Sequence, residues 1–157
     1  MGWSTIWFGK KYKGKTLPQV VFKDPDWFFW AMETNAFKGR GKILNEAREI
    51  YRKSKSIRIP QEGPEKLVAE YAVHPPTGKF AQMEIIPASR PKHVGSTRTS
   101  RSDVIDLSKP RKIARYDKLG CDHLISNLKH YLFGSKSYRM TKARCEAFFE
   151  DDDNFDL

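Results

Sequence analysis

Apolar residues recur over 42–53 at Ile43, Leu44, Ala47, Ile50 and Tyr51. That spacing draws one apolar stripe along a helix and leaves Lys42, Arg48, Arg52 and Lys53 largely off it. An earlier helix is predicted over 24–35. Asp24 or Asp26 can accept from the orphan amides of its first turn, Pro25 is pre-set for that turn, and Phe37-Lys38-Gly39-Arg40-Gly41 breaks it. Before it, Thr5-Ile6-Trp7-Phe8 reads as a short strand and Thr16-Leu17-Pro18 as the opening of one helical turn. After the linker Pro60-Gln61-Glu62-Gly63-Pro64 the pattern becomes alternating. Leu67, Ala69, Tyr71 and Val73 interleave with Val68, Glu70 and Ala72, as in a half-buried strand. His74-Pro75-Pro76-Thr77-Gly78 supplies a turn, and residues 80–86 form the return strand, closed by Pro87.

Residues 88–102 break this order. They hold Arg90, Lys92, His93, Arg98 and Arg101 among Ser and Thr, with too little apolar content to pack, so a mobile basic loop is expected. Val104-Ile105-Asp106-Leu107 reads as a third strand, followed by a basic segment over 109–118. A helix over 122–133 buries Leu124, Ile125, Leu128, Tyr131 and Leu132 and stops at Gly134, the residue type favoured just past a helix end. A last helix starts at Thr141, with Met140 and Cys145 as a hydrophobic staple, and frays into the acidic residues 151–157. The expected fold is α+β. An aromatic-rich helical module (1–58) precedes a unit (65–150) of one β-hairpin and two C-terminal helices around a shared core, and an acidic tail (151–157) follows.

Charge changes the picture from fold to partner. The 157 residues hold 29 Lys and Arg against 19 Asp and Glu, for a net charge of +10. From Glu146 onward there are six acids and no base, so residues 1–145 carry +16. Bases gathered in runs between aromatic and small polar residues predict a polyanionic partner, most simply nucleic acid. Two cysteines, Cys121 and Cys145, make no disulfide framework. Free thiols in a reducing cytoplasm are expected, in a bacterial cell or a phage-infected host. No apolar run approaches the ~20 residues of a membrane span, and no signal-peptide pattern precedes the aromatic cluster at 27–32, so no membrane partner is expected.

Three segments supply candidate nucleic-acid contacts. The first is the glycine-flanked loop with Lys10, Lys11, Lys13 and Lys15. Its glycines let backbone amides approach a phosphate, and Tyr12 offers a face for a base, or else packs back on Trp27 and Trp30. Arg40 and Lys42 follow it. The second is the basic loop, with Arg90, Lys92, Arg98 and Arg101. The third is the basic segment, with Lys109, Arg111, Lys112 and Arg115. The helical spacing of Trp27 and Trp30 assigns both rings to the core.

The run Phe8-Gly9-Lys10-Lys11-Tyr12-Lys13-Gly14-Lys15-Thr16-Leu17, then Val20 or Val21, then Asp24-Pro25-Asp26-Trp27-Phe28-Phe29-Trp30 resembles the C-terminal module of exodeoxyribonuclease X-like proteins. A related family of quorum-sensing-regulated virulence factors carries the same pattern. The likeness covers residues 5–52 and departs by one extra lysine in the loop. It implies association with DNA metabolism, and DNA rather than RNA as partner, without nuclease chemistry, since the catalytic acids of that exonuclease belong to another domain. The tail is similar in composition to the acidic, aromatic-tipped tails of single-stranded DNA-binding proteins. Such a tail competes with nucleic acid for a basic groove, docks a partner protein, or only solubilises the chain.

Catalytic arrangements are sparse. Cys121, His123, His130 and Cys145 match no standard zinc spacing and lie beside apolar helix stripes, so core thiols are expected and no cofactor or metal is called for. Glu70, Glu84, Asp103 and Asp106 could hold a nuclease metal only if the hairpin met the 104–107 strand. Walker, Gly-x-Ser-x-Gly and His-Glu-x-x-His patterns are absent. The leading expectation is a non-enzymatic nucleic-acid-binding protein of weak sequence selectivity, of a size that suits a phage or mobile element. The rivals are a protein-binding regulator that inhibits a nucleic-acid enzyme and a small metal-dependent nuclease.

Overall fold

Asp24 stands between the first two helices and serves both. Its backbone N–H closes α1 (Leu17–Lys23) by donating to Val20 O, and its carboxylate caps α2 (Pro25–Glu33) by accepting from the Trp27 amide at 3.0 Å. In this computed structural model, residues 2–61, 63–74, 76–77, 79–91, 98–114, 117–134 and 141–157 are described. Helix α1 is two turns rather than one. Gln19 reaches back to accept from the Thr16 N–H at 3.1 Å, which ties down its start. Thr5-Ile6-Trp7-Phe8 makes one bridge, Thr5 to Thr16, in place of a strand. The basic loop after it is closed by Ile6 N to Lys15 O (2.9 Å) and Gly14 N to Ile6 O (2.8 Å). Helix α3 (Lys42–Ser54) buries Ile43, Ala47 and Ile50, as its stripe predicts.

Two antiparallel sheets follow among the described residues. β1 (Ile57–Arg58) pairs with β5 (Val104–Ile105). β2 (Leu67–His74) lies between β3 (Lys79–Pro87) and β4 (Arg98–Ser102), with a bulge at Ala72/Val73. Helices α4 (Lys109–Ala114), α5 (Lys118–Phe133) and α6 (Lys142–Glu150) complete an α+β fold. Among the described residues no helix is long and apolar enough to cross a membrane. Asp117 fastens α5 to the sheet: one carboxylate accepts from Gly120 N (2.9 Å), capping the helix, and from Phe80 N (3.1 Å) on β3. A Cβ on Gly120 would lie 2.3 Å from that carboxylate and 3.0 Å from Phe80 Cβ, so only glycine fits there. One core joins both halves, from Ile6, Leu17 and Phe28 through Ile57 and Ile105 to Leu124, Phe149 and Phe155.

Three expectations are corrected here. Residues 98–102, read as part of a mobile loop, form β4, pairing Ala69 with Ser102 through Val73 with Arg98. Strand pairing is carried by backbone groups, so a polar edge strand leaves little trace in hydrophobic periodicity. The segment over 109–118 contains helix α4 and the start of α5, giving three C-terminal helices instead of two among the described residues. The tail does not fray. Asp152–Asn154 make a 3₁₀ turn, Phe155 is buried and bridges Ile57, and Asp156 N donates to Ser56 O at 2.9 Å. Met140, the staple partner expected for α6, lies outside the described residues.

Candidate nucleic-acid interface

The N-terminal aromatics form a row of touching rings. Trp7 meets Phe8 edge to face at 5.5 Å, Phe8 meets Phe37 at 5.6 Å, Phe37 meets Trp27 at 6.4 Å, and Trp27 meets Trp30 at 6.4 Å. Phe37 is buried and anchors the row, while its two ends are open to solvent, Trp7 at 51% and Trp30 at 43% exposed. Sequence spacing placed Trp30 in the core. α2 instead fills the core with Phe28, Phe29 and Ala31 and turns the Trp27 and Trp30 side outward, leaving Trp27 half-buried. The signal was present in the sequence: α2 is apolar on nearly every face, more than one core contact can absorb.

Tyr12 is corrected in the opposite sense. It is 8% exposed, sits edge to face on Trp27 at 5.1 Å, and donates its hydroxyl to Asp24, so it is no platform for a base. Burial first, then the bond to Asp24, pushes its hydroxyl pKa upward. Burial acts to raise the Asp24 carboxyl as well. Hydrogen bonds from Tyr12, the Trp27 amide and Lys11 outweigh that and hold it below the usual carboxylate range.

Cations surround this row with few acids to neutralise them. Residues 1–58 hold thirteen Lys and Arg against five Asp and Glu, a surplus of eight. Lys10, Lys13 and Lys15 are exposed, and among the described residues none has a carboxylate partner. Lys11 pairs with Asp24 at 3.2 Å. Arg40 lies over the Phe8 ring at 3.8 Å and donates to Ala36 O at 2.9 Å, which leaves the guanidinium face fixed by aromatic contact. Lys42 is exposed and reaches Gly2 O at 3.4 Å.

The second and third segments fare differently. Arg101 donates to Glu70 at 2.8 Å and also reaches Ala88 O and Pro91 O, each at 3.3 Å. Arg90 pairs with Glu84 at 3.8 Å. Arg111 is shared between Asp26 (2.9 Å) and Glu33 (3.0 Å). Lys109 lies over the Tyr71 ring at 5.0 Å, while Arg98 and Lys112 remain exposed. Lys92 and Arg115 lie outside the described residues. The described part of the basic surface is therefore concentrated on the first segment, because Arg90, Arg101 and Arg111 in the other two are held in ion pairs.

A stability difference follows. Arg101→Ala leaves Glu70, whose side chain is 12% exposed, without its cation and should cost about 1–3 kcal/mol, whereas Arg98→Ala should stay within ~0.5 kcal/mol. Denaturant unfolding of the two single variants checks this. Equal midpoints would mean that β4 contributes nothing through Arg101.

The carboxylates considered for a metal are also occupied. Glu70 and Glu84 are cross-strand neighbours, each with its own arginine, Asp103 pairs with Lys66 at 3.2 Å, and Asp106 accepts from Ser108. Among the described residues no group of three His, Cys, Asp or Glu is placed to hold a metal ion. Cys121 and Cys145 are buried free thiols, and burial pushes each up to about 11, so neither offers a thiolate near neutral pH. Comparison with family models, curated proteins and solved structures gives no match for this chain.

Proposed function

We propose that the protein binds nucleic acid through the basic-aromatic surface of residues 7–48 and is not itself an enzyme. The observation that carries this reading is the pair of exposed tryptophans at the ends of one ring row, beside lysines with no carboxylate partner among the described residues. Exposed indoles cost solubility and add little to a core, but they stack on bases of any sequence, and unpaired lysines displace the counterions of a phosphate backbone. Residues of this kind grip without reading base edges, so weak sequence selectivity is expected. The resemblance of residues 5–52 to exodeoxyribonuclease X-like modules supports DNA as the partner.

A salt titration tests the reading. With about five phosphates neutralised, log K on duplex DNA should fall against log salt with a slope of about −4 to −5, and on a single strand about −3.5. An affinity that does not respond to salt would overturn it and return the surface to a protein partner.

A further inference from the structure

A cleft of about 270 Å³ opens between α2 and α3, beside the ring row, with Met32, Phe37 and Leu44 as its apolar lining. Asn35, Lys38 and Arg48 also line it, and all three are exposed. Among the described residues their side chains have no hydrogen-bond or ionic partner. Phe37 is common to the cleft and to the ring row, where it touches both Phe8 and Trp27. An apolar floor, one amide that both donates and accepts, and two free cations form a set that suits a flat heteroaromatic ring attached to an anion.

We propose that this cleft takes one unstacked base of a bound strand, with Lys38 and Arg48 at its phosphates, so that the preferred ligand is single-stranded nucleic acid. The inference rests on the nucleic-acid reading above and narrows it to a strand type. The size of the cleft argues against a docked helix, whose anchors at i, i+4 and i+7 span about 10 Å along its axis. It argues equally against a duplex, whose bases are stacked and paired and present no free ring. A single strand can turn one base into the cleft while its neighbours stack on the exposed indoles.

The test uses the full chain, a short oligodeoxythymidine carrying one 2-aminopurine, and the same oligonucleotide annealed to its complement. The single strand should bind about tenfold tighter than the duplex at equal salt, with a change in 2-aminopurine emission on binding. Leu44→Trp fills the cleft and leaves every cation in place. It should weaken single-strand binding severalfold without altering duplex affinity or salt slope. Asn35 has a positive φ of 58°, which glycine adopts freely, so Asn35→Gly removes the amide at no backbone cost. It should weaken single-strand binding severalfold, and a thermal melt of both variants verifies folding. Equal affinities for the two strand types, or a folded Leu44→Trp protein that binds the single strand as tightly as the parent chain, would overturn the cleft proposal while leaving the nucleic-acid reading intact. Absence of binding to either form would overturn both.

Discussion

Replacing Phe155 by Ala should lower the stability of the fold by about 3–5 kcal/mol, the usual cost of emptying a buried phenylalanine site. Phe155 is 2% exposed, stacks on Phe149 at 5.5 Å and meets Phe148 edge to face at 5.5 Å. Its backbone extends the small β1–β5 sheet through the bridge to Ile57. The segment 151–157 also helps to hold down a charge. Lys53 is 5% exposed, and its ammonium donates to Phe149 O at 3.0 Å, pairs with Asp152 at 3.0 Å and with Glu49 at 3.3 Å, and lies 5.3 Å from the Phe155 ring. Deleting residues 151–157 removes Asp152 and Phe155 together. Lys53 is then left with Glu49 and a carbonyl, so the truncated chain should lose at least as much as Phe155→Ala. Denaturant midpoints for the full chain, the point variant and the truncation measure this at unchanged m-value. A truncated protein as stable as the full chain would mean that the tail is only a solvated end, and a tail that swings over the basic surface would again be worth considering.

The tail shows where sequence reasoning stops. Elements set by local chemistry were legible: the apolar stripe of α3, the Asp24-Pro25 start of α2, the alternation of β2 and β3, and Gly134 ending α5 in the left-handed conformation. Each depends on neighbours within a turn or a hairpin. What escaped depends on partners far along the chain. β4 is polar throughout and becomes a strand because β2 offers it a free edge. Lys53 stands at the margin of the α3 stripe, where composition assigns it to solvent, and it is buried because residues 149–155 fold over it. Six consecutive residues with four carboxylates look solvated, yet Phe155 among them supplies an anchor large enough to order the segment.

The candidate surface was legible in charge and misread in its aromatics. Lys10, Lys13 and Lys15 are as exposed as their loop suggests. The arginines of the other two segments could not be sorted from sequence, because whether Arg101 or Arg111 is free depends on Glu70, Asp26 and Glu33 arriving beside them. Tyr12 and Trp30 exchanged roles for a simple reason. Asp24, fixed as the cap of α2, draws the Tyr12 hydroxyl inward, and the ring covers Trp27. The outer side of α2 is left to Trp30.

Removing the two exposed indoles together, Trp7→Ala with Trp30→Ala, should weaken single-strand binding by at least ~30-fold. Base–aromatic stacking is worth about 1–3 kcal/mol per base, and the two rings, at opposite ends of the row, serve different bases, so their losses should roughly add. Fold stability should fall by no more than about 1 kcal/mol per site, because about half of each ring is already in water. The salt slope should stay unchanged, since neither substitution removes a charge. Lys10→Ala with Lys13→Ala should do the reverse, flattening the slope by about 0.7 per lysine on a single strand while leaving the quenching of tryptophan emission by bound bases in place. Together the two double variants separate what holds the bases from what holds the phosphates. If the tryptophan variant binds as tightly as the parent chain, the exposed rings are not the stacking platform. The same lysines would then have to act on a ligand without bases, such as another acidic polymer.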